Sequence, residues 1–498
     1  MKSSWRDLLR IRAGEENLFA VLAYILFANF MALEMSSVVA TSGFLSEAGI
    51  ELLPLIWIVD MAILLFVGTL QSLIIDRIER LRLMRYVVYV LATVHFGLLL
   101  LFSFGAANSA TYALLYILAD QQLFFVPVVF WVLANDKMSV AQSRRLFPTI
   151  AAVGFLGQIA GLALSSLGGV LLDGNPRPLL LVNVLVYLPC LWLIRRLDMN
   201  EVMNRLVATN WRENLREGWD FIWNVKAFRF LMLAMLAVGT ALTLLEFHFL
   251  VVTAASFDSA AGYQTFFGSY RLALAILTVL VQSLVTSRLI DRLTLPRALF
   301  ILPATILLAA LSLLAAPGLV LTALGRGGAR LGLATVDESA RKSLQGLIPP
   351  ARRGRVSLFL DNYVFAVGIS LGALIVWGLM ALAPASGMAP LYLGATALLA
   401  GGALVSIGWL NRTYEASLLN WRLKRRNRGR SVLDTLDFSD EKPAPVAASV
   451  EASAVVPVVA PAVAPTVAPA VTEEPDVKPV EAPTRRRRRV ANPLDLID

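Results

Sequence analysis

Apolar runs of about 20 residues recur along most of this chain, and they decide what it can fold into. Each run is long enough to cross the roughly 30 Å hydrocarbon layer of a bilayer as a helix. Hydrophobic residues make up 57% of the 498 residues and charged residues only 16%. No strand-like alternation is visible, and only helices and closed barrels satisfy the backbone inside lipid. The sequence therefore predicts an all-α polytopic membrane protein.

The apolar runs predict about twelve transmembrane helices. The tenth is the most polar of them, because it contains six charged residues between Arg326 and Lys342. The predicted spans cover roughly residues 17–42, 52–75, 84–104, 111–134, 147–171, 179–197, 228–254, 266–288, 297–317, 319–346, 356–383 and 389–411.

Lysine and arginine are concentrated in alternate loops. The loops at one end of the spans, with the two terminal segments, hold nearly all the loop cations, whereas the five loops at the other end hold only Arg177. Cationic loops stay in the cytoplasm. We therefore expect a cytoplasmic (inner) membrane protein with both termini in the cytoplasm, which also supports an even number of spans.

The spans divide into two sets of six. Residues 198–227, between the sixth and seventh spans, show the pattern of an amphipathic helix on the bilayer surface, with Trp219 and Trp223 on its apolar side. Residues 71–77, at the end of the second span, are similar to residues 282–288, at the end of the eighth. A duplicated six-span unit is typical of major-facilitator-like carriers, whose binding sites lie between the halves near mid-membrane.

The segments outside the spans complete the expected domain organisation. The basic segments should contact anionic lipid headgroups, although a docking peptide for a partner is an alternative for the polyarginine run, and nucleic acid is not favoured. The expected domains are a cytoplasmic N-terminal segment (1–16), a first six-helix half (17–197), an amphipathic linker (198–227), a second half (228–411), a basic juxtamembrane segment (412–441) and a disordered Ala/Pro/Val-rich tail with the polyarginine run (442–498).

Charged side chains inside spans are the candidates for function, because each costs about 2.5–3.5 kcal/mol to insert. A structural ion pair between helices is the alternative for each. Glu246 is preferred over His248 as a cavity residue, since the two project about 200° apart on a helix. The candidate substrate-binding or coupling residues are Glu34, Asp60, Asp120, Glu246, Arg271, Arg326, Arg330 and Asp361.

The remaining motifs do not indicate an enzyme. There is no phosphate-binding loop and no nucleophile elbow, and two histidines with one cysteine, Cys190, are poor material for a metal site. We therefore expect no cofactor and no metal. Gly154, Gly157 and Gly161 share one face of the fifth span and predict close packing against another helix.

A short polar, cationic turn is predicted between the fourth and fifth spans, from Asn135 to Arg145. The residues around it resemble the corresponding junction of the nucleotide transporter family, the ATP/ADP antiporters of plastids and obligate intracellular bacteria. The seventh-span stretch around Glu246 resembles that family's acidic-aromatic pattern. The residues that carry the resemblance are Phe130-Trp131, Ala134-Asn135-Asp136, Arg144-Arg145-Leu146-Phe147, Leu245-Glu246-Phe247-His248-Phe249, Phe266-Phe267-Gly268, Thr286-Ser287-Arg288-Leu289 and Arg12-Ala13-Gly14-Glu15.

The resemblance implies a major-facilitator-like fold and exchange of nucleotides or related phosphates. Asp136 and Glu246 match acidic positions of the family. Three positions where its nucleotide exchangers typically carry lysine hold Glu34, Leu250 and Ile369 instead. A triphosphate, with about four negative charges, needs cationic partners in a low-dielectric cavity. The candidates to replace the lysines are Arg271, Arg326 and Arg330.

Two hypotheses follow. The first is a secondary transporter that works by alternating access on a small-molecule solute, either a nucleotide or a less anionic metabolite. Its cytoplasmic gate would be formed by Asn135, Asp136, Arg144 and Arg145. The second is a carrier fold that no longer transports and serves as a membrane anchor or sensor, whose tail recruits a partner.

Overall fold

The computed structural model is all-helical in the part of the chain that it describes. That part comprises residues 11–12, 14–74, 78–197, 211–293, 295–348, 350–382, 384 and 387–433, with backbone only for 71–74, 140, 196, 211–214, 287, 290–291, 350–351, 354 and 415–433. Most of the predicted N-terminal segment, the start of the linker and the tail with its polyarginine run lie outside the described residues.

The helices before the linker form what we call the first half. Its loops are short, so successive helices run in opposite directions. The six helices are α1 (Glu16–Ala48), α2 (Leu53–Ile74), α3 (Arg80–Ser103), α4 (Ser109–Lys137), α5 (Val140–Leu171) and α6 (Pro176–Leu193).

The linker helix α7 and the second half follow. In the described part of the linker, Ile222 is buried, and Trp219 and Trp223 are about half exposed. The helices are α7 (Trp211–Asn224), α8 (Lys226–Ser256), α9 (Ala260–Val281), α10 (Ser287–Arg292), α11 (Leu295–Ala298), α12 (Ile301–Ala315), α13 (Leu319–Gly332), α14 (Glu338–Gln345), α15 (Pro350–Leu358), α16 (Phe365–Met380) and α17 (Ala389–Leu433).

Three π-helical segments interrupt the second half: Gln282–Thr286, Leu333–Asp337 and Phe359–Val364. Each continues directly from one α-helix into the next. The first of them begins the motif that residues 282–288 share with residues 71–77, whereas the described start of the other copy, up to Ile74, is α-helical. Short π-helical segments often mark functional positions.

Eleven of the described helical runs are long and apolar enough to cross a membrane. The predicted tenth span is also helical, from Leu319 to Gln345, but its charged residues make it less apolar than the others. The last span extends as one helix to Leu433, far past the predicted end near residue 411. The protein is therefore a multi-pass membrane protein.

The predicted turn between the fourth and fifth spans is wrong in its extent. Helix α4 continues to Lys137 and α5 begins at Val140, so Met138 and Ser139 alone separate them. The Ser139 side chain accepts from the Gln142 backbone amide, and the Gln142 side chain accepts from the Ser139 amide. This capping box starts the helix early, and it places Arg144 and Arg145 inside α5.

The buried core shows how the two halves meet. We call the bundle end with the cationic loops the basic end, and the opposite end the neutral end. One large buried cluster at the neutral end includes Val39 and Trp57 of the first half together with Leu244 and Phe267 of the second. Toward the basic end, each half has its own large buried cluster. The halves therefore share a core at the neutral end.

Contacts between α5 and α9 also hold the two halves together at the neutral end. The Gln264 side chain donates to the Ser165 carbonyl at 2.9 Å, and the hydroxyls of Ser166 and Ser269 are 2.5 Å apart. Gly169 leaves no room for a side chain, since an added Cβ would lie 2.2 Å from Thr265 Oγ1. The two halves thus pack backbone against backbone near the neutral end.

Candidate functional site

Seven of the eight candidate charged residues lie in the middle part of the bundle's long helices. Most are 7 to 11 residues from the neutral end of their helix, roughly 10–17 Å along the helix axis. They come from six helices, three in each half, beneath the shared core. We call this group the central network: Glu34, Asp60, Asp120, Glu246, Arg271, Arg326 and Arg330.

Glu246 on α8 is the acidic centre of the second-half side. Arg326 donates to both carboxylate oxygens, from Nη2 to Oε1 at 2.6 Å and from Nε to Oε2 at 2.7 Å. Arg330 adds a contact from Nη2 to Oε2 at 3.1 Å. The two arginines are four residues apart and share a face of α13. The Arg326 side chain is 7% exposed, whereas that of Arg330 is 51% exposed and available to a solute.

Arg326 is also enclosed by aromatic rings. Its guanidinium carbon lies 4.3 Å from the centre of the Phe249 ring and 5.2 Å from that of Tyr270. Aromatic faces attract cations, so the rings and Glu246 hold the side chain in place together. The sequence did not predict this enclosure, although Phe267 and Tyr270, which lie about one helical turn apart on α9, would have signalled it.

Glu34 and Arg271 form an ion pair between the halves. The Glu34 side chain on α1 is 4% exposed, and its Oε2 lies 2.6 Å from Arg271 Nη2 on α9. Gln158 on α5 donates to Glu34 Oε1 at 2.7 Å, and Arg271 donates to the Ser37 hydroxyl at 2.6 Å. This pair is a charged contact between the first and the second half.

Asp60 and Asp120 form the acidic centre of the first-half side. Asp60 is 0% exposed, and its Oδ1 accepts from the Gln121 side chain at 2.9 Å. The Asp120 carboxyl lies within hydrogen-bonding reach of Asp60. Tyr116, whose hydroxyl accepts from the Trp57 indole at 2.9 Å, adjoins both.

Asp361 is not part of the central network. It lies in the π-helical segment Phe359–Val364, 11 residues from the start of α15 at Pro350, where Lys342 Nζ is 2.5 Å from Oδ2. Arg341 reaches Asp361 Oδ1 at 3.3 Å and Asp337 Oδ2 at 2.7 Å. These four charged side chains neutralise one another within the second half.

The gate candidates lie at the basic end of the first half. Asp136 pairs with Arg80 at the start of α3, and the Asn135 side chain donates to the Trp131 carbonyl at 2.8 Å. Arg145 donates to both oxygens of Glu15 at 2.6 and 2.7 Å. Arg144, one residue earlier, is exposed.

The pKa of Glu15 reflects these contacts. Burial raises this pKa, but hydrogen bonds from the Arg12 amide, from Gln142 and from Arg145 outweigh burial and hold it below its ordinary value. Glu15 therefore remains an anion that ties the segment before α1 to the start of α5.

The remaining candidates have packing roles. His248 faces away from the central network and shares a 2.9 Å hydrogen bond with the Tyr392 hydroxyl. Gly157 and Gly161 lie against the backbone of α1, where added Cβ atoms would come 2.2 Å from the Phe27 carbonyl oxygen and 2.4 Å from that of Met31. The predicted close helix packing is confirmed.

Comparison with known proteins identifies the family. The TLC ATP/ADP transporter family profile matches residues 54–319, just over half of the chain. The chain belongs to this family. The comparison with curated protein sequences finds no match.

Solved structures of transporters share the fold. The nucleoside transporter NupG superposes with a TM-score of 0.60 at 14% identity, over 78% of this chain and 99% of that one. An auto-inhibited POT family peptide transporter gives 0.58 at 12% identity, over 79% and 96%. A bacterial homologue of the iron transporter ferroportin, in an inward-facing state, gives 0.55 at 13% identity, over 79% and 99%. The family member is thus a membrane transporter with a major-facilitator-like fold.

The family match covers the central network unevenly. It includes Asp60, Asp120, Glu246 and Arg271. Glu34 precedes the matched segment, and α13 with its two arginines extends beyond it. The roles of Arg326 and Arg330 therefore follow from their geometry and not from the family match.

Proposed function

We propose that the protein is a secondary carrier of the cytoplasmic membrane that exchanges a nucleotide-type solute by alternating access between its two halves. The solute would bind at the central network. The observation that carries the proposal is the exposed Arg330 guanidinium, which lies between the halves with its charge only partly neutralised by Glu246. The family match supports carrier activity on nucleotides, and the position near mid-membrane suits a carrier site.

The charges of the central network indicate how anionic the solute can be. Three arginines face two glutamates, which leaves one positive charge before the two aspartates are counted. A triphosphate with about four negative charges would be poorly compensated here. The geometry therefore favours the less charged members of the nucleotide series, such as nucleoside monophosphates and nucleosides, over ATP.

The gate belongs to the same proposal. The pairs Arg80–Asp136 and Glu15–Arg145 hold the basic ends of α3, α4 and α5 and the segment before α1 together. A rearrangement of the two halves that closes the basic end would move these helices as a unit. Asn135 and Arg144 lie beside the pairs and would contact the second half, or the entering solute, in that state.

The orientation and the membrane contacts are inferred from charge. The basic end carries the loop cations and would face the cytoplasm, with both termini. The basic segments would contact anionic headgroups. No observation on the described residues favours the alternative of a non-transporting anchor.

Thermal unfolding of the purified protein with adenosine, AMP, ADP and ATP tests the proposal. A ligand that binds only the folded state adds about 2.7 kcal/mol at 100 times its Kd. We expect AMP to stabilise more than ATP, and Arg330→Gln to weaken AMP binding roughly 10- to 150-fold through loss of a charge-assisted hydrogen bond. The control Arg352→Gln removes an exposed cation at the basic end.

Each outcome decides a part of the proposal. Stabilisation by AMP that Arg330→Gln removes and Arg352→Gln keeps supports the site. Equal AMP binding by Arg330→Gln overturns the role of Arg330. If no member of the panel stabilises the protein or exchanges across proteoliposomes, the nucleotide-type solute is wrong.

A further inference from the structure

Two carboxyl groups of the central network, those of the fully buried Asp60 and the half-buried Asp120, lack the ion pairs that the other charged members form. Glu34 and Glu246 each face an arginine at 2.6 Å. Within the described part of the chain, neither Asp60 nor Asp120 has a salt bridge. Two adjacent carboxylates that lack ion pairs repel each other, and a proton shared between them would remove this repulsion.

One carboxylate oxygen of this pair, Asp60 Oδ2, lacks a hydrogen-bond donor in the described part of the chain. Asp60 Oδ1 accepts the Gln121 hydrogen bond at 2.9 Å, whereas Asp60 Oδ2 is fully buried and has no hydrogen-bond donor among the described residues. The Asp120 carboxyl is its neighbour within hydrogen-bonding reach. A single proton on either carboxyl group supplies the missing donor and removes the repulsion. Such proton sharing is the usual arrangement for a carboxyl dyad.

The dyad lies next to the groups that would hold the solute. The α16 side chains packed near this part of α2 are apolar, including Ala366 and Ile369. The titratable and charged groups whose charges act on the dyad include Tyr116 on α4, Glu246 on α8, Arg271 on α9 and Arg330 on α13.

We propose that Asp60 and Asp120 form a proton site and that the carrier moves one proton together with its anionic solute. An ionised Asp120 attracts Arg271 and Arg330 and competes with the solute for them. A proton on the dyad removes this competition, so proton and anion bind together and leave together. The inference rests on the proposed function for the solute but not for the proton site itself.

Infrared spectroscopy of the solute-free, full-length protein tests the proton site. The C=O stretching band of protonated carboxyl groups is compared at about pH 5 and about pH 9, a range in which ordinary carboxyl groups are already ionised. We expect the Asp60→Asn/Asp120→Asn double variant to lose part of the titrating band. Asp258→Asn, an exposed aspartate in the α8–α9 loop, should keep it. An unchanged band in the double variant overturns the proton site.

Proteoliposomes test the coupling, with AMP as the probe. With one proton per anion, an inward proton gradient should concentrate external AMP in exchange for internal adenosine, which carries no proton, roughly tenfold for each unit of pH difference, because one unit corresponds to about 1.36 kcal/mol per proton. AMP uptake by Asp120→Asn should no longer respond to the gradient, whereas Asp258→Asn should respond like the wild type. Gradient-driven accumulation by Asp120→Asn overturns the coupling.

The two experiments separate the two proposals. If the wild type takes up no member of the nucleotide panel, the proposed solute fails, and the infrared result alone decides the proton site. If the wild type exchanges AMP but shows no gradient-driven accumulation, the proposed function stands and the coupling is wrong.

Discussion

Arg326 holds both carboxylate oxygens of Glu246, at 2.6 and 2.7 Å, from a helix that is 80 residues away along the chain. The guanidinium also lies against the Phe249 ring, one turn along the helix that carries Glu246. One buried cation therefore ties α13 to α8 through a charge contact and a ring contact. Arg330 can then remain half exposed without leaving Glu246 unpaired.

Removing Arg326 should destabilise the protein. In Arg326→Met, Glu246 keeps only the longer contact to Arg330, and breaking a buried pair costs about 3–5 kcal/mol. The double variant Glu246→Gln/Arg326→Met removes both charges and should recover much of the loss. Thermal unfolding in detergent measures both variants. If Arg326→Met unfolds at the wild-type temperature, the pair does not stabilise the fold.

Neutralising Glu34 should change the solute preference. Glu34→Gln frees the Arg271 guanidinium and adds one unit of positive charge to the central network. We expect ADP binding to strengthen relative to adenosine binding, since the added charge acts only on the anion. Glu47→Gln, the same change at an exposed position of α1, is the control. An unchanged ratio of ADP to adenosine affinity would contradict the placement of Arg271 in the site.

A disulfide across the neutral end should stop transport. The hydroxyls of Ser166 and Ser269 are 2.5 Å apart, which suits the replacement of both residues by cysteine. Cys190, the chain's single cysteine, is buried and should not compete. Oxidation of Ser166→Cys/Ser269→Cys should abolish AMP exchange, and reduction should restore it.

Mass spectrometry of the digested double variant checks the crosslink directly. Ser166→Cys alone controls for oxidation damage. Full exchange by the crosslinked protein would show that the neutral end need not open.

Arg144 and Arg145 should differ in how much they stabilise the folded protein, and the stabilisation by Arg145 should depend on pH. Arg145→Gln removes the partner of Glu15 and should lower stability, whereas Arg144→Gln changes an exposed side chain and should not. The folded pKa of Glu15 lies below its ordinary value of about 4.3. The stabilisation of the folded protein by the Glu15–Arg145 pair is therefore present above that value, and it is lost as pH falls through the folded pKa of Glu15.

Unfolding measured from neutral pH down to below about pH 4 checks this prediction. The stability difference between the wild type and Arg145→Gln should shrink at the acidic end of the series. A difference that is independent of pH would mean that Arg145 stabilises the protein through other contacts.

The spans and the candidate charged residues could be predicted from the sequence, because both follow from local composition. Twenty apolar residues suffice to predict a span, and a charge inside one is costly wherever its partner lies. The pairings could not be predicted. Glu34 and Arg271 are 237 positions apart, and whether they meet depends on how α1 and α9 rotate when they pack.

One error has a local cause. Cationic residues at a span boundary resemble a loop, so the sequence predicts too long a turn around Arg144, whereas the capping box at Ser139 extends the helix over it. The ion pairs of Asp361 with Arg341 and Lys342 could not be predicted either, because nothing in the sequence shows that these side chains meet, and the role of Asp361 stays a prediction.

The three π-helical segments have a mechanical consequence. All three lie in the second half, and one of them begins a motif whose other copy starts as α-helix in the first half. Each wider turn weakens the regular hydrogen-bond ladder and gives a helix a place to bend. The helices of the first half have internal prolines instead, at Pro127, Pro148 and Pro189, so the two halves bend at different kinds of position. Because the halves are not equivalent in this respect, the outward-open and inward-open states need not have the same energy, and the empty protein should favour one of them.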